Sequence, residues 1–296
     1  MIRRIKNILR PYWPMQKIAQ IRHGWRRRVA LAKFEMKDIY DSYISSATKA
    51  KMTPYGFKLL GSTSMHHVAM QRGEFEPEET ELFSGLFRQS DVFVDVGSNI
   101  GFYSLLARSM GKHVVAVEPL PKNLSFIYEN FRSNAWEDIE IFPVGLSEHP
   151  GIATLYGASS TGASLIGSWA GASQAFQRTI PLLTLDILVG ERFKGKKIFI
   201  KIDVEGMEYP VLLGALNTLK WDPKPTWVLE ICMTEYHPDG MNPDFKNTFD
   251  LFWKNGYEVR TANKENRLIK PEDVARWIET RICDSGTINY KFAPAS

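Results

Sequence analysis

The chain has 296 residues, of which 37 are Lys or Arg and 33 are Asp or Glu, so its formal net charge at pH 7 is +4. Hydrophobic residues make up 44% of the sequence, which is too much apolar surface for a disordered chain. No apolar run reaches the roughly 18 residues of a membrane span, and no secretory signal pattern follows the basic N-terminus. Two cysteines, Cys232 and Cys283, are too few for a disulfide framework, so we predict reduced thiols and a cytoplasmic protein.

Positive charge is concentrated at the N-terminus, where residues 1–37 hold eleven Lys or Arg against one acid, Glu35. Apolar residues recur every three or four positions from Ile18 to Tyr43, which predicts a basic amphipathic helix. Such a helix can lie on an anionic membrane or a phosphate-bearing substrate, or it can cap the main domain with its charges in solvent. We therefore predict a helical extension at residues 1–50 and leave these alternatives open. No nucleic-acid partner is expected, because no binding motif accompanies the charges.

The rest of the chain, residues 51–296, reads as one α/β domain. Residues 51–78 carry turn signals and predict a short hairpin. From residue 91 onward, short β-branched runs alternate with helical stretches, which predicts a parallel sheet covered on both faces. The predicted strands are 91–96, 113–118, 139–144, 198–203, 226–231, 257–262 and 287–292. The predicted helices lie near 100–110, 121–134, 208–220, 242–255 and 271–282. The expected fold is a doubly wound, mostly parallel sheet of seven strands.

One stretch breaks this alternation. Residues 147–178 are rich in Gly, Ala and Ser and contain Trp169. The pattern predicts a long loop near the active edge of the sheet, where such loops are usually lids or substrate-binding elements.

Acidic residues follow the first two predicted strands. Asp95 precedes a glycine-rich turn, Gly97 to Gly101, that opens a helix, and Glu118 ends the next strand. The glycine spacing is not the G-x-G-x-x-G of dinucleotide folds, and a carboxylate at 95 would repel a pyrophosphate but suit an amino-bearing ligand. A carboxylate at the position of Glu118 can accept both ribose hydroxyls. Together these features indicate a nucleoside ligand with an amino acid end, which fits S-adenosylmethionine.

A second acidic group follows the fourth strand. Asp203, Glu205 and Glu208 lie within six residues, next to Lys201. Like charges raise one another's pKa, which suits a general base or a metal site, although Glu208 can simply occupy the first turn of a helix. Glu230 lies in an otherwise apolar strand and should be paired or functional. His237 is a further candidate proton acceptor, but a single histidine in a loop is more often incidental.

Over about residues 70–290 the chain resembles the FkbM-type methyltransferases, a branch of the class I S-adenosylmethionine-dependent fold. The resemblance rests on residues 73–77, 95–103, 118–119, 144–147, 183–186 and 201–206. It implies a seven-stranded sheet with an antiparallel last strand and methylation of hydroxyl groups, often on sugars or natural products. The cofactor contacts that it implies come from Asp95, Gly97, Ser98, Asn99, Gly101, Glu118, Gly145 and Leu146.

The catalytic candidates are Asp203, Glu205, Lys201 and Glu230. We expect Asp203 or Glu205 to accept the proton of the acceptor hydroxyl, while Lys201 and Glu230 shape the pocket. A metal held by Asp203 and Glu230 is a second route, and no metal site is predicted. The leading function is O-methylation of a carbohydrate, a glycolipid or a polysaccharide. The alternatives are methylation of a small natural product, a nicotinamide-dependent oxidoreductase, and a membrane-peripheral scaffold without activity.

Overall fold

The computed structural model describes residues 49–62, 64–157, 162–171, 174 and 176–295. The basic helix predicted within residues 1–50 lies almost entirely outside the described residues and stays a prediction. Within the described ranges, no helix is both long enough and apolar enough to cross a bilayer.

Two short strands and two helices precede the main sheet. Strands β1 (Lys51–Met52) and β2 (Lys58–Leu59) pair antiparallel, which confirms the predicted hairpin. Helices α1 (Met65–Arg72) and α2 (Pro77–Gln89) follow. Helix α2 starts with Pro77, whose fixed φ suits the first helical position, and two glutamates in its first turn complement the helix dipole.

The remaining strands, in chain order, are β3 (Val92–Val96), β4 (His113–Val117), β5 (Glu140–Phe142), β6 (Gly145–Leu146), β7 (Gly151–Tyr156), β8 (Gln177–Leu183), β9 (Ile198–Ile202), β10 (Thr226–Glu230), β11 (Tyr257–Thr261), β12 (Leu268–Ile269) and β13 (Asn289–Pro294). The helices between them are α3 (Phe102–Ser109), α4 (Pro121–Ser133), α5 (Leu185–Val189), α6 (Glu208–Leu213), α7 (Phe245–Lys254) and α8 (Pro271–Thr280). Short 3-10 turns lie at Trp169–Gly171 and Thr218–Lys220.

The central sheet has the strand order β12-β11-β13-β10-β9-β3-β4-β5. Strands β10, β9, β3, β4 and β5 pair in parallel, whereas β13 runs antiparallel to both β10 and β11. The predicted doubly wound sheet and its antiparallel last strand are therefore confirmed. The count of seven strands is wrong by one, because Leu268–Ile269 folds back on β11 as a two-residue edge strand that carries too few residues to show a pattern.

A separate three-stranded sheet, β6-β8-β7, stands beside the central one. Strand β7 pairs antiparallel with β8 along its whole length, so the loop predicted for residues 147–178 is wrong over Gly151–Tyr156. The sequence signal there is weak because one face of the strand is in solvent. Ile152 is 78% exposed, whereas Leu155 is buried.

The two faces of the central sheet carry different cores. Aliphatic side chains of β3 and β9 on one face, such as Val94 and Ile200, pack in a cluster with residues of α5, α6 and α7. The other face is aromatic, and Phe93 and Phe199 stack at a centroid distance of 5.0 Å under helix α2. Parallel strands buried on both faces end together at one edge, where the chain can place polar groups around a ligand.

Candidate active site

A cleft with about 730 Å³ of open space lies at the carboxyl ends of β3, β4 and β9. That size is typical of a small-molecule site. Of the predicted cofactor-binding residues, the cleft is lined by Gly97, Asn99, Glu118, Gly145 and Leu146. Of the predicted catalytic residues, it is lined by Asp203 and Glu205. The wall opposite the sheet comes from Gly162 to Leu165.

The glycine-rich turn is tied to the neighbouring strands by its backbone. The amide groups of Gly97 and Ser98 both donate to the carbonyl of Val117 on β4, at 3.0 and 3.1 Å. Gly97 has φ +81°, and a Cβ there would lie 1.8 Å from the carbonyl oxygen of Asp203. Only glycine fits this approach of the turns after β3 and β9. Ser98 also gives its hydroxyl to Val117, so its side chain serves the fold.

Gly101 begins helix α3 rather than lining the cleft. Its φ of +85° is a left-handed conformation, which glycine adopts without strain. Its amide donates to the carbonyl of Ser98 at 2.8 Å and closes the turn. The prediction that Gly101 contacts a cofactor directly stays a prediction.

Glu118 is buried and held by backbone groups. Its Oε2 accepts from the amide of Asn99 at 2.9 Å, and its Oε1 accepts from the amide of Leu120 at 2.8 Å. Burial disfavours the charged form and raises the pKa of Glu118 to about 7, even though both amide bonds lower it. Each carboxylate oxygen has a second lone pair, so the group can still accept from a ligand hydroxyl.

Asp95 does not line the cleft and lies on the aromatic side of β3. Its Oδ2 accepts from the hydroxyl of Ser104 at 2.6 Å, while its buried Oδ1 has no hydrogen-bond partner. The Oδ1 of Asn99 is also buried without a partner. Buried polar atoms are almost always bonded, so two orphaned acceptors at the turn suit a ligand that brings donors. The residues present therefore fit an amino-bearing nucleoside.

Lys201 and Asp203 form an ion pair at the end of β9. The Nζ of Lys201 lies 2.8 Å from Oδ2 of Asp203, and Lys201 pairs in register with Asp95 on β3. Burial disfavours the ammonium, but the nearby carboxylates, led by Asp203 and Asp95, outweigh it and raise the pKa of Lys201. The side chain of Asp203 is 33% exposed and faces the cleft. Lys201 itself is buried behind it.

Two members of this polar group were not predicted as site residues. Tyr103 places its ring 5.8 Å from the Nζ of Lys201, and its hydroxyl donates to Oε2 of Glu76 at 2.6 Å. Burial is the main reason that the pKa of Tyr103 is raised, so the phenol stays a donor. Only the sequence segments 73–77 and 95–103, on which the family resemblance rests, pointed towards them.

Glu205 lines the cleft, but both of its carboxylate oxygens are occupied. Oε1 accepts from the amide of Gly162 at 2.9 Å, and Oε2 accepts from the indole N–H of Trp169 at 2.6 Å. Burial, together with the charge of Asp203, raises the pKa of Glu205 to about 7. The residue therefore bonds to the segment across the cleft.

Glu208 begins helix α6, as its position in the sequence predicts, and is buried. Its Oε1 accepts from the amides of Val204 and Gly206, at 3.3 and 3.1 Å, so the carboxylate braces the turn after β9. Burial raises the pKa of Glu208 to about 8. Its role is in the turn rather than in the cleft.

Glu230 ends β10, next to the Lys201–Asp203 pair and outside the lining of the cleft. Burial, with the charges of Asp203 and Glu205, raises its pKa to about 9. The ring of His237 contacts Trp169 edge-on at 4.7 Å, and burial lowers the pKa of His237. Neither residue contacts the Gly97–Gly101 turn, so the cluster divides into a cofactor side and an acceptor side.

Among the described residues, no group of three or more His, Cys, Asp or Glu side chains is arranged to hold a metal ion. Cys232 is buried and Cys283 partly buried, and both are free thiols.

The strand order, the antiparallel β13 and the cleft at the carboxyl edge define a Rossmann-like class I methyltransferase fold. The sequence matches the methyltransferase FkbM domain over residues 95–259, more than half of the chain. The protein belongs to the FkbM methyltransferase family and is a methyltransferase that uses S-adenosylmethionine. The resemblance inferred from the sequence is therefore confirmed.

Solved structures with a similar fold share little sequence with this chain. Precorrin-6y C5,15-methyltransferase from Geobacter metallireducens is 14% identical, with a TM-score of 0.34 over 61% of this chain and 72% of that one. An S-adenosylmethionine-dependent methyltransferase from Agrobacterium tumefaciens is 12% identical, with a TM-score of 0.40 over 81% and 68%. An rRNA methylase from Streptococcus thermophilus is 10% identical, with a TM-score of 0.38 over 74% and 95%. No curated protein matches the chain.

Proposed function

We propose that the protein is an O-methyltransferase that transfers a methyl group to a hydroxyl of a carbohydrate or of a carbohydrate-bearing lipid or polysaccharide. The observation that carries the proposal is the position of Asp203. Its carboxylate is held by Lys201 and partly exposed to the cleft whose other walls carry the cofactor-side residues. A base that meets the cofactor cleft is what methylation of a hydroxyl requires.

Geometry separates the three candidate carboxylates. Both oxygens of Glu205 already accept hydrogen bonds from the opposite wall. Glu230, with a pKa of about 9, is protonated at neutral pH and acts as a hydrogen-bond donor rather than a base. Asp203 retains lone pairs towards the cleft, so it takes the proton from the acceptor hydroxyl.

The bound cofactor supplies an electrophilic methyl group on a sulfonium. On this chain, Glu118 accepts from the ribose hydroxyls, and the turn at Gly97 to Asn99 carries the amino acid end. Asp95 adds an unpaired carboxylate oxygen near that turn. Lys201 orients Asp203, so the carboxylate meets the acceptor in a fixed position.

The charges around Asp203 favour a neutral acceptor. Glu205 and Glu230 lie close enough to raise each other's pKa, and Lys201 is the cation that they share. An anionic acceptor would meet repulsion from these carboxylates, whereas a sugar hydroxyl would not. This supports a neutral polyol rather than a phosphate at the reacting position.

A panel of matched acceptors tests the proposal. The intact protein is incubated with methyl-labelled S-adenosylmethionine and with neutral methyl glycosides, the corresponding amino sugars and uronic acids. We expect label in a base-stable ether on a neutral glycoside. Label found on an amine or a carboxylate, with none on hydroxyl groups, would contradict the proposal. A simple aromatic alcohol in the panel represents the small natural-product class.

We also propose that the basic residues 1–37 bring the enzyme to an anionic membrane surface from the cytoplasm. The excess of ten positive charges there supports it. Sedimentation with vesicles of neutral and anionic lipid, for the intact chain and for a chain beginning at Lys49, tests the idea. Equal binding of both chains to anionic vesicles would refute it.

A further inference from the structure

The segment of residues 162–171, here called the cleft-wall segment, is attached to the catalytic edge through one side chain. Residues 162–165 of this segment line the cleft, and its 3-10 turn at Trp169–Gly171 lies beyond them. The amide of Gly162 and the indole of Trp169 both donate to the carboxylate of Glu205. The hydroxyl of Ser164 donates to the backbone carbonyl of the same residue at 2.6 Å. Three groups of the segment therefore bond to Glu205.

The backbone of Glu205 is in a conformation that its residue type disfavours. Its φ is +56°, and the following Gly206 has φ +93°. Left-handed backbone costs a residue with a side chain about 1–2 kcal/mol, so glycine would be favoured on conformational grounds alone. The side chain at this position must therefore be of use, and the bonds to the cleft-wall segment supply that use.

The indole of Trp169 also packs against the same turn. A Cβ on Gly206 would lie 2.4 Å from Cζ3 of Trp169 and 2.8 Å from Cδ1 of Ile166. Trp169 is only 1% exposed. The glycine thus lets the ring lie directly on the turn and brings its N–H within reach of the carboxylate. The backbone and the side chain of the turn are shaped for one partner.

A second turn holds the far end of the segment. The amide of Ala170 donates to the carbonyl of Tyr236 at 2.9 Å, and the ring of Trp169 meets that of His237 edge-on. The cleft-wall segment therefore spans the turns that follow β9 and β10. These two turns carry Asp203 and adjoin Glu230, so the segment bridges the cofactor side and the acceptor side.

We propose that Glu205 is a positioning residue that fixes the cleft-wall segment over the cofactor and so sets how slowly the cofactor product leaves. This inference uses the cofactor cleft of the proposed function and replaces the proton-accepting role predicted for Glu205 from the sequence. The segment closes the cleft through the two carboxylate bonds. Loss of the carboxylate frees residues 162–165 from the sheet edge and opens one wall.

Hydrogen–deuterium exchange on the intact protein without ligand tests the attachment. In Glu205→Ala we expect amides of the cleft-wall segment to exchange about tenfold faster, the effect of losing charge-assisted hydrogen bonds. Glu205→Gln keeps one acceptor oxygen and should give an intermediate rate. Glu191→Ala, which removes an exposed carboxylate far from the cleft, is the control and should match the wild type. Unchanged exchange in Glu205→Ala would overturn the proposal.

Stopped-flow release of S-adenosylhomocysteine tests the consequence. We expect Glu205→Ala and Trp169→Phe each to release it about tenfold faster, and the double variant to be no faster than Glu205→Ala, because both remove the same contact. Trp169→Phe keeps an apolar ring on Gly206, so it serves if Glu205→Ala does not fold. Additive effects of the two changes would contradict the shared contact.

Two further outcomes separate this inference from the proposed function. A large fall in kcat for Glu205→Gln, with exchange and release unchanged, would make Glu205 the base and overturn the positioning role. A wild-type protein that binds no S-adenosylhomocysteine would count against the proposed function alone, because the exchange measurement needs no ligand.

Discussion

Glu118 and Glu205 are two buried glutamates on the walls of one cleft, and they are held in different ways. Glu118 accepts from the amides of Asn99 and Leu120, which belong to its own strand end and to the neighbouring turn. Glu205 accepts from Gly162 and from the indole of Trp169, which lie 43 and 36 residues away in sequence. The cofactor side is built by backbone next to the strands, whereas the acceptor side depends on side chains brought from an insertion.

This difference suggests a division of labour. Backbone amides cannot be exchanged by mutation, so the cofactor side keeps one geometry in any sequence that preserves the strand and turn. Side-chain contacts to an inserted segment can vary while the sheet stays the same. The acceptor side is therefore where substrate choice can change without loss of the fold.

The largest effect is expected on the acceptor side, at the base. Asp203→Asn should lower kcat by at least about 10²-fold, because general-base catalysis typically contributes 10²–10⁴-fold. Cofactor affinity should stay within about threefold of the wild type, since Asp203 is held by Lys201 and not by the cofactor side. Steady-state rates and calorimetry on the same preparations measure both quantities.

Asp239→Asn changes an exposed acid on the turn after β10 and is the matched control. Turnover by Asp203→Asn at the rate of this control would remove Asp203 from the mechanism.

On the cofactor side, the most damaging single change is expected at Gly97. Gly97→Ala combines a left-handed φ with a Cβ 1.8 Å from the carbonyl of Asp203, so the two turns must separate. We expect the free energy of unfolding to fall by about 3 kcal/mol or more. Gly111→Ala, at φ +75° with open space around it, should lose only about 1 kcal/mol. Denaturant titration compares them, and equal losses would show that the contact between the turns is unimportant.

A smaller effect is expected when the backbone-held carboxylate is removed. Glu118→Ala leaves the amides of Asn99 and Leu120 without their acceptor, which should lower the free energy of unfolding by about 2 kcal/mol. Glu205→Ala should instead leave the denaturation midpoint close to that of the wild type and loosen only the cleft-wall segment. Similar midpoints for Glu118→Ala and the wild type would contradict the contrast between the two glutamates.

These two sides also differ in how far the sequence predicts them. The strand ends at Asp95 and Glu118, with glycines at 97 and 101, identify the cofactor side because the signal is local and periodic. The family resemblance and the parallel sheet follow from the same segments. The eight predicted cofactor-side residues fall into five that line the cleft and three that shape the turn behind it.

The acceptor side is only partly predictable. Lys201, Asp203 and Glu230 stand out as polar residues at strand ends, but the partners of Glu205 follow from tertiary folding of residues 162–171. Nothing in the sequence links Trp169 to Glu205 or Tyr103 to Glu76, since those pairs lie 36 and 27 residues apart. Strand β7 was missed because half of it faces solvent and leaves no continuous apolar run.

The weakest effect is expected from pH and involves both sides. Burial raises the pKa of Glu118 and Glu205 to about 7, of Glu208 to about 8 and of Glu230 to about 9, from an ordinary value of 4.5. A raised pKa means that the folded protein binds the proton more tightly than the unfolded chain. Their contribution to stability is complete below pH 4.5 and is lost as pH rises through about 7 to 9.

The Tm of the protein without cofactor should therefore fall between pH 6 and pH 9, measured in buffers of equal ionic strength. Glu118→Gln and Glu230→Gln, which cannot ionise, should each flatten part of that fall. A Tm that rises over this range in the wild type would contradict the assigned directions.

Calorimetric titration with S-adenosylmethionine and with NAD, on the wild type and on Asp95→Ala and Glu118→Ala, tests the central claim most directly. The account predicts that the wild type binds S-adenosylmethionine and not NAD. It predicts that Glu118→Ala weakens binding by at least about tenfold, as expected for a lost hydrogen-bonding carboxylate. It predicts that Asp95→Ala weakens binding as well. Preference for NAD, or S-adenosylmethionine binding that neither substitution changes, would contradict the assignment of the cofactor side.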